Sequence, residues 1–201
     1  MIEPGESLSQ RDLERVAELH VAAIDDSLPG LLGATFATRF YRFVAASRSE
    51  WLFVERLDER IESVCLLSFE PDSIYGRILR SMLPWLALPG LAAVATQPAF
   101  RSFLRCYVAE LFSGGHVQPA PEITYVFTSD DWRGHGLGER LIERIEAWLI
   151  GRGVAVYHVK TIDNPENRAL SFYDRAGFSR LGTLQEGGRA FVAFRKTLRG
   201  A

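Results

Sequence analysis

The stretch Arg133-Gly134-His135-Gly136-Leu137-Gly138 decides the fold, because it joins a strand pattern to a helical one. Before it lies Ile123-Thr124-Tyr125-Val126-Phe127-Thr128, rich in the β-branched and aromatic residues typical of strands. The helical pattern after it repeats apolar residues on one face, at Leu137, Leu141, Ile145, Trp148 and Leu149. Glycines let an anion approach the backbone N–H groups of a helix N-terminus, so this junction predicts a site for a polyanion such as a phosphate group, with Arg133 adding a positive charge.

Two common nucleotide motifs are absent around this loop. The segment Gly136-Leu137-Gly138-Glu139-Arg140-Leu141 lacks the third glycine of G-x-G-x-x-G, and the chain contains no G-x-x-x-x-G-K-[S/T]. NAD and nucleoside triphosphates are therefore disfavoured, and a pyrophosphate carried by another molecule is favoured. The alternative is a glycine-rich turn that only tightens the packing of a strand on a helix.

A second motif lies downstream, at residues 164–178. It follows the apolar run Val154-Ala155-Val156-Tyr157-His158-Val159, which is typical of a strand buried on both faces. Asn164 is expected to cap a helix, Pro165 suits its first turn, and Gly177 suits the left-handed position after its end. The C-terminal half therefore predicts strand, glycine loop, helix, strand, helix and strand.

Together the two motifs resemble the GNAT acyltransferase superfamily, whose acetyl-CoA site carries [Q/R]-x-x-G-x-[G/A] and, later, an Asn-containing helix with a Tyr followed by Gly-Phe. The matching residues are Arg133, Gly136 and Gly138 in the first motif and Tyr173, Gly177 and Phe178 in the second. The resemblance covers roughly residues 120–198. The chain departs from the family pattern at Glu166, which occupies the usual position of the Asn.

The resemblance implies an α/β (α+β) fold, a mixed central sheet flanked by helices, in a single acetyltransferase domain over residues 1–201. It also implies acetyl-CoA as cosubstrate and no metal. The residues expected to bind the cofactor are Val126, Phe127, Thr128, Arg133, Gly134, His135, Gly136, Leu137, Gly138, Asn164, Asn167 and Tyr173. Backbone groups at the end of the strand 123–128 would pair with the pantetheine arm. Asn164 and Asn167 remain alternatives for the family's Asn.

The implied reaction is transfer of an acetyl group to a primary amine, by direct attack of the amine on the thioester. The resemblance assigns protonation of the departing thiolate to Tyr173; the alternative is an aromatic that packs the helix on the sheet, a task that Phe172 would fill better. Glu122 is the candidate base, placed on the strand face opposite Ile123, Tyr125 and Phe127. It could equally be a solvated strand end.

Other acidic residues and histidines receive weaker assignments. Asp25, Asp26 and Glu70 could bind a cationic acceptor, or could simply be surface residues. His20 is interpreted as a partly buried helix residue and His158 as a structural residue of a buried strand.

Composition agrees with a soluble globular protein: 201 residues, 47% hydrophobic, 24% charged, net charge −2. This near-balance predicts no nucleic-acid partner, and the scarcity of lysine, found only at 160 and 196, is interpreted as compositional. Two cysteines, Cys65 and Cys106, form neither a disulfide framework nor a metal motif. The N-terminus lacks an apolar secretory core, so a cytoplasmic location is expected. A homodimer is among the expected assemblies.

The first half predicts a helix from Ser9, a second helix around Phe36–Val44, and a hairpin of strands 51–55 and 61–67. A C-terminal hairpin is expected across Gly187-Gly188. Residues 70–120 exceed this plan and predict a helical insertion with an apolar run at 82–95, too short and too Pro-rich to span a membrane. Short helices that enlarge the core are the favoured interpretation; a lid over the acceptor, or a surface for a partner or membrane interface, is the alternative.

Two other classes of function are compatible with these features. The chain could be a non-catalytic regulatory module that binds acyl-CoA. It could also be a membrane-peripheral or oligomer-forming interaction protein that uses the apolar insertion.

Overall fold

The computed structural model describes residues 8–78, 80–81, 98, 101, 121–186 and 188–198. The N-terminal half contains α1 (Gln10–Ala23), α2 (Leu28–Leu32), α3 (Ala34–Ala46), β1 (Glu50–Leu57), β2 (Arg60–Ser68), a 3-10 turn (Pro71–Ser73) and helical residues 74–78. The C-terminal half contains β3 (Glu122–Thr128), a 3-10 turn (Asp130–Trp132), α4 (Leu137–Ile150), β4 (Val156–Ile162), α5 (Arg168–Arg175), β5 (Ser179–Glu186) and β6 (Arg189–Thr197). Most of the predicted helical insertion over 70–120 lies outside the described residues.

The N-terminal helix begins where the sequence predicts. The Ser9 hydroxyl accepts from the Asp12 N–H, and the Asp12 carboxylate accepts from the Ser9 N–H, so the two residues form a capping box. One face of α1 is buried, with Leu13, Val16, Ala17, Leu19 and His20. The predicted second helix and both hairpins are also present.

The strands form one six-stranded mixed sheet in the order β1-β2-β3-β4-β6-β5. Among these six described strands only β3 and β4 run parallel, as expected for two strands connected through a helix. Helices α1 to α3 pack on one face of the sheet and α4 and α5 pack on the other, which gives two apolar clusters. The predicted mixed sheet flanked by helices is therefore confirmed. Among the helices of the described part, none is long and apolar enough to cross a membrane.

A β-bulge at Thr124 changes which way β3 presents its side chains. Tyr125 pairs with Leu66, but Ile123 pairs with Leu67, so β3 has one residue more than β2 across this step. An extra residue reverses the alternation of side chains. Ile123 therefore faces the α4 side while Tyr125 faces the α1 side. The prediction that Glu122 lies opposite Tyr125 and Phe127 is wrong, because all three share the α1 face.

The start of α5 differs from the prediction by three residues. Asn167 is the N-cap, since its side-chain oxygen accepts from the Ala169 N–H. Its amide nitrogen donates to the Ile162 carbonyl and to Thr161 Oγ1, which ties α5 to the end of β4. Asn164 instead accepts from the Glu166 N–H in the preceding turn. Gly177 has φ +82°, as predicted for the residue after the helix.

Candidate functional site

A cavity of about 800 Å³ lies where β3 and β4 separate. The two strands pair only at Glu122 with His158 and Ile123 with Val159. Beyond Ile123 the edge of β3 that faces β4 pairs with no strand of the described residues, so its N–H and C=O groups are available to another molecule. The cavity extends from this gap to the α1–α2 turn, the start of α5 and the start of β6.

Five of the predicted site residues line this cavity: Glu122, Val126, Asn164, Asn167 and Tyr173. Phe127 and Thr128 do not line it. Phe127 packs its ring 5.2 Å from the ring of His20, and Thr128 Oγ1 lies 2.7 Å from Ser63 Oγ, so their side chains are used within the fold. The loop 133–138 does not line it either. Arg133 and Thr128 line a separate cavity of about 180 Å³.

The glycine loop has the geometry that an anion site requires. Gly134 and Gly136 have φ +81° and +77°, in the left-handed region that L-residues disfavour. Gly136 is the N-cap of α4, and no side chain caps the helix there. The N–H groups of the first turn have no intrahelical acceptors, so they can bind an anion at the positive end of the helix dipole. Arg133 is 51% exposed in its side chain and forms an ion pair of 2.7 Å with Asp130.

The remaining loop residues contribute in different ways. His135 is exposed, its Nδ1 lies 3.2 Å from the Arg133 carbonyl oxygen, and its ring packs edge-on 5.4 Å from that of Trp132. Leu137 is buried in the core under α4. Only its backbone N–H therefore remains for a cofactor, while its side chain anchors the helix.

Gly138 serves the packing of two helices. A Cβ atom on Gly138 would lie 3.2 Å from Cε2 and 3.3 Å from Cζ of Phe172. The missing side chain therefore makes room for Phe172 of α5. The Gly138 N–H, in the first turn of α4, remains a candidate donor.

We expect Gly138→Leu to lower the free energy of unfolding by about 1–3 kcal/mol, because the new side chain overpacks the contact between α4 and α5. The double variant Gly138→Leu/Phe172→Ala should recover part of this loss, since it removes the ring that the leucine meets. Urea unfolding of both single variants and the double variant measures the coupling. Additive losses would contradict the contact.

Tyr173 is buried, 3% exposed, and lines the cavity. Its ring lies 5.3 Å from that of Phe178 and 5.5 Å from that of Phe194. Tyr173 thus packs α5 on the sheet, a task assigned above to Phe172, which instead meets Gly138. Burial, followed by the proximity of Cys65 and Glu122, raises the pKa of the Tyr173 hydroxyl. The hydroxyl is therefore protonated at neutral pH and can donate a proton or a hydrogen bond.

Glu122 is 2% exposed, so the interpretation as a solvated strand end is wrong. Burial raises its pKa to about 7, and Lys160 opposes that rise. Oε1 lies 3.7 Å from Lys160 Nζ, while Oε2 is buried and has no hydrogen-bond partner among the residues that the structure describes. A carboxyl group with this pKa and a free oxygen at a cavity is suited to accept a proton.

Sequence reasoning missed several residues at this end of the cavity. Lys160 Nζ lies 2.8 Å from Glu186 Oε2 and faces Glu122 as well. The hydroxyls of Tyr75 and Tyr125 are hydrogen-bonded to each other beside them. A signal for Lys160 was present, because it is one of only two lysines and interrupts an apolar strand. No sequence signal pointed to Glu186, which approaches through the β5–β6 hairpin.

The three acidic residues considered for binding a cationic acceptor divide into two groups. Asp25 and Asp26 line the cavity, and Asp26 pairs with Arg189 of β6 at 2.7 Å. Glu70 does not line it; its nearest cation is Arg77, at 3.6 Å.

His20 of α1 and His158 of β4 both lie on the side of the sheet that α1 covers. His20 is fully buried, with its Nε2 2.7 Å from Ser27 Oγ and its Nδ1 bonded to Tyr41. Burial lowers the His20 pKa to about 3, so this ring is neutral and occupied by structural hydrogen bonds. His158 is buried next to Glu122 in the sheet.

Residues 102–180 match the family model of the acetyltransferase (GNAT) domain. The matched segment belongs to the acetyltransferase (GNAT) domain family. The protein is accordingly an acyltransferase. The match includes both motifs that carry the resemblance, and it begins within the segment 102–120 that the structure does not describe.

Solved GNAT structures share the fold at low sequence identity. An aminoglycoside 6′-N-acetyltransferase complexed with coenzyme A has a TM-score of 0.62 and 10% identity, over 98% of this chain and 97% of that one. A ribosomal-protein-alanine N-acetyltransferase from Brucella melitensis has a TM-score of 0.58 and 14% identity, over 95% and 97%. The ribosomal-protein-S18-alanine N-acetyltransferase from Escherichia coli has a TM-score of 0.56 and 13% identity, over 98% and 94%. No curated protein sequence gives a significant match.

Proposed function

We propose that this GNAT protein transfers an acetyl group from acetyl-CoA to a primary amine by direct attack of the amine on the thioester. One observation carries the proposal: a single cavity is lined by Glu122, with a free carboxylate oxygen, and by Tyr173, with a protonated hydroxyl. The first group can take a proton from the amine and the second can give one to the thiolate. A module that only binds acyl-CoA would need neither group.

The cofactor would be held along the path from the glycine loop to the strand gap. The first-turn N–H groups of α4 would bind the pyrophosphate, with the positive charge of Arg133 nearby. The unpaired edge of β3 near Val126 would pair with the pantetheine amides. Asn167 is committed to the α5 cap and to β4, which leaves the Asn164 amide as the better candidate for contact with CoA. Binding energy from these distant groups would position the thioester.

The reaction needs one group to take a proton from the acceptor ammonium and another to give a proton to the leaving sulfur. The Glu122 carboxylate takes a proton from the acceptor ammonium and produces a neutral amine. The amine nitrogen then attacks the thioester carbonyl carbon, a C–N bond forms and the C–S bond breaks. The departing sulfur takes a proton from the Tyr173 hydroxyl, and the excess proton on the new amide nitrogen restores the tyrosine through solvent. The products are the acetylated amine, CoA and one proton, which Glu122 releases to solvent.

The charges at the acceptor end favour a cationic amine. In the described part of the chain, six charged residues line the cavity, and four of them are acidic: Asp25, Asp26, Glu122, Lys160, Glu186 and Arg189. An ammonium group would be attracted to this net negative charge, while an anionic acceptor would be repelled. Aromatic side chains beside it, at Tyr75, Tyr125 and Phe191, would contact the carbon skeleton of the acceptor.

A thiol-release assay with acetyl-CoA tests the proposed function. The panel of acceptors should include diamines, amino sugars and peptides with a free N-terminus, because the similar folds named above include proteins that acetylate the last two types. We expect CoA release that depends on the amine, with acetylated product detected by mass spectrometry. CoA binding without release for every amine would favour the regulatory module.

We expect Tyr173→Phe to lower kcat by about 100-fold, the lower end of the range for general acid assistance, because a thiolate is a good leaving group. KM for acetyl-CoA should change little, since the ring that packs on Phe178 and Phe194 is retained. Steady-state kinetics and a melting curve on the same preparation measure both. Wild-type turnover with a chemistry-limited amine would restrict Tyr173 to packing.

A further inference from the structure

We propose that Lys160, held in place by Glu186, is a positioning residue for Glu122: it favours the ionised form of the Glu122 carboxylate and leaves its second oxygen free for the acceptor amine. The inference rests on the proposed function, because it needs Glu122 as the proton acceptor. Neither of the two sequence motifs contains Lys160 or Glu186.

The distances around Lys160 show an ammonium shared by two carboxylates. Its Nζ lies 2.8 Å from Oε2 and 3.0 Å from Oε1 of Glu186, and 3.7 Å from Oε1 of Glu122. Glu186 therefore forms the closer ion pair with Lys160, and Glu122 has the positive charge of Lys160 beside its carboxylate. The ammonium approaches only one side of the Glu122 carboxylate. Oε2, on the other side, is buried, and no described residue forms a hydrogen bond with it.

A lysine suits this task better than an arginine. The guanidinium of arginine is planar and tends to bind both oxygens of a carboxylate at once, whereas an ammonium is a compact point charge. A guanidinium at position 160 would compete with the acceptor for Oε2. The chain uses arginine almost everywhere else, since only two of its 23 basic residues are lysines. The composition alone would therefore have favoured arginine here.

Of the described charged groups near Glu122, Lys160 is the one that favours the ionised form of its carboxylate. The charged and titratable groups near Glu122 come from several elements and are Asp72, Tyr75, His158, Lys160, Tyr173 and Glu186. Two ion pairs lie farther away: the Glu50–Arg77 pair, which is reached through Ser68, and the Asp26–Arg189 pair at the cavity rim. Burial raises the pKa of Glu122 most, Glu186 and Asp72 add to the rise, and Lys160 counteracts it.

Three variants test the inference through the pH dependence of kcat/KM. Lys160→Met removes the positive charge, so the acidic limb should move to higher pH by roughly 1–3 units. Glu186→Gln removes a negative charge and releases Lys160 toward Glu122, so the limb should move to lower pH. Lys160→Arg should keep the limb near its wild-type position but lower the plateau by roughly 10-fold, because its fork covers Oε2. A merely structural role would not shift the limb in opposite directions.

The control is Lys196→Met, which removes the other lysine and its 2.5 Å ion pair with Glu146 outside the cavity. It should leave the limb unchanged. Glu122 is also titrated directly by ¹³C NMR of labelled glutamate carboxyls, with its resonance identified by its loss in Glu122→Gln. If the Glu122 titration moves in neither Lys160→Met nor Glu186→Gln, the inference is overturned. If the Glu122 titration moves as expected but the acidic limb of kcat/KM does not, the effect of Lys160 on the ionisation of Glu122 is supported. The role of Glu122 as the base is then overturned.

Discussion

Gly136→Asp is expected to weaken CoA binding by roughly 100-fold relative to Gly136→Asn. Both side chains tolerate the left-handed backbone that Gly136 adopts, with φ +77°, so the two variants carry a similar backbone cost. They differ by one negative charge at the N-cap of α4, where the pyrophosphate is proposed to bind. Repulsion between like charges about 5 Å apart near a protein surface is worth about 3 kcal/mol, which corresponds to roughly two orders of magnitude in Kd.

Isothermal titration calorimetry with CoA measures the difference, and melting curves of both variants confirm that they fold alike. Raising the ionic strength should reduce the gap between them, since the repulsion is partly screened near the surface. The aspartate is compared with asparagine rather than with the wild type because any side chain at this position also fills space beside the backbone. Equal affinities in the two folded variants would move the pyrophosphate away from this loop.

The sequence predicted the fold well because its patterns are local. The Ser9–Asp12 capping box, the apolar stripe of α4 and the hairpin at Asp58-Glu59 depend on residues close together in the chain. The order of these elements then limited the sheet to few topologies. Gly136 was identified for the same reason, since a strand, a glycine turn and a helix follow one another directly.

The candidate site was less predictable because it depends on contacts between distant segments. The bulge at Thr124 is a property of the pairing between β2 and β3, and it reversed the expected face of Glu122. Lys160 and Glu186 are 26 residues apart and meet only through the folded hairpin. Burial, which raises the pKa of Glu122 most, depends on the whole fold, so the residues next to Glu122 in the sequence do not indicate it.

Glu122→Gln is expected to lower kcat by 10²–10⁴-fold, with little change in KM for acetyl-CoA, because the amide cannot accept the proton of the ammonium. The wild-type pH profile provides a second readout. Glu122 must be ionised to act as a base and its pKa is raised to about 7, so kcat/KM should fall as pH decreases below about 7. In Glu122→Gln this acidic limb should be lost, because the group that titrates is gone.

Glu122→Gln, which should lower activity, should raise the stability of the folded protein at pH 8. A carboxyl group whose pKa rises from 4.5 to about 7 on folding favours the folded state when protonated, so wild-type stability falls as pH rises through this range. Glu122→Gln cannot ionise, and Lys160 keeps Glu186 as its partner. The variant should therefore gain Tm relative to the wild type at pH 8 and lose that advantage at pH 4. A variant that is inactive and also less stable at pH 8 would show that Glu122 stabilises the fold. A buried base that destabilises the fold when ionised predicts the other outcome, loss of activity together with greater stability.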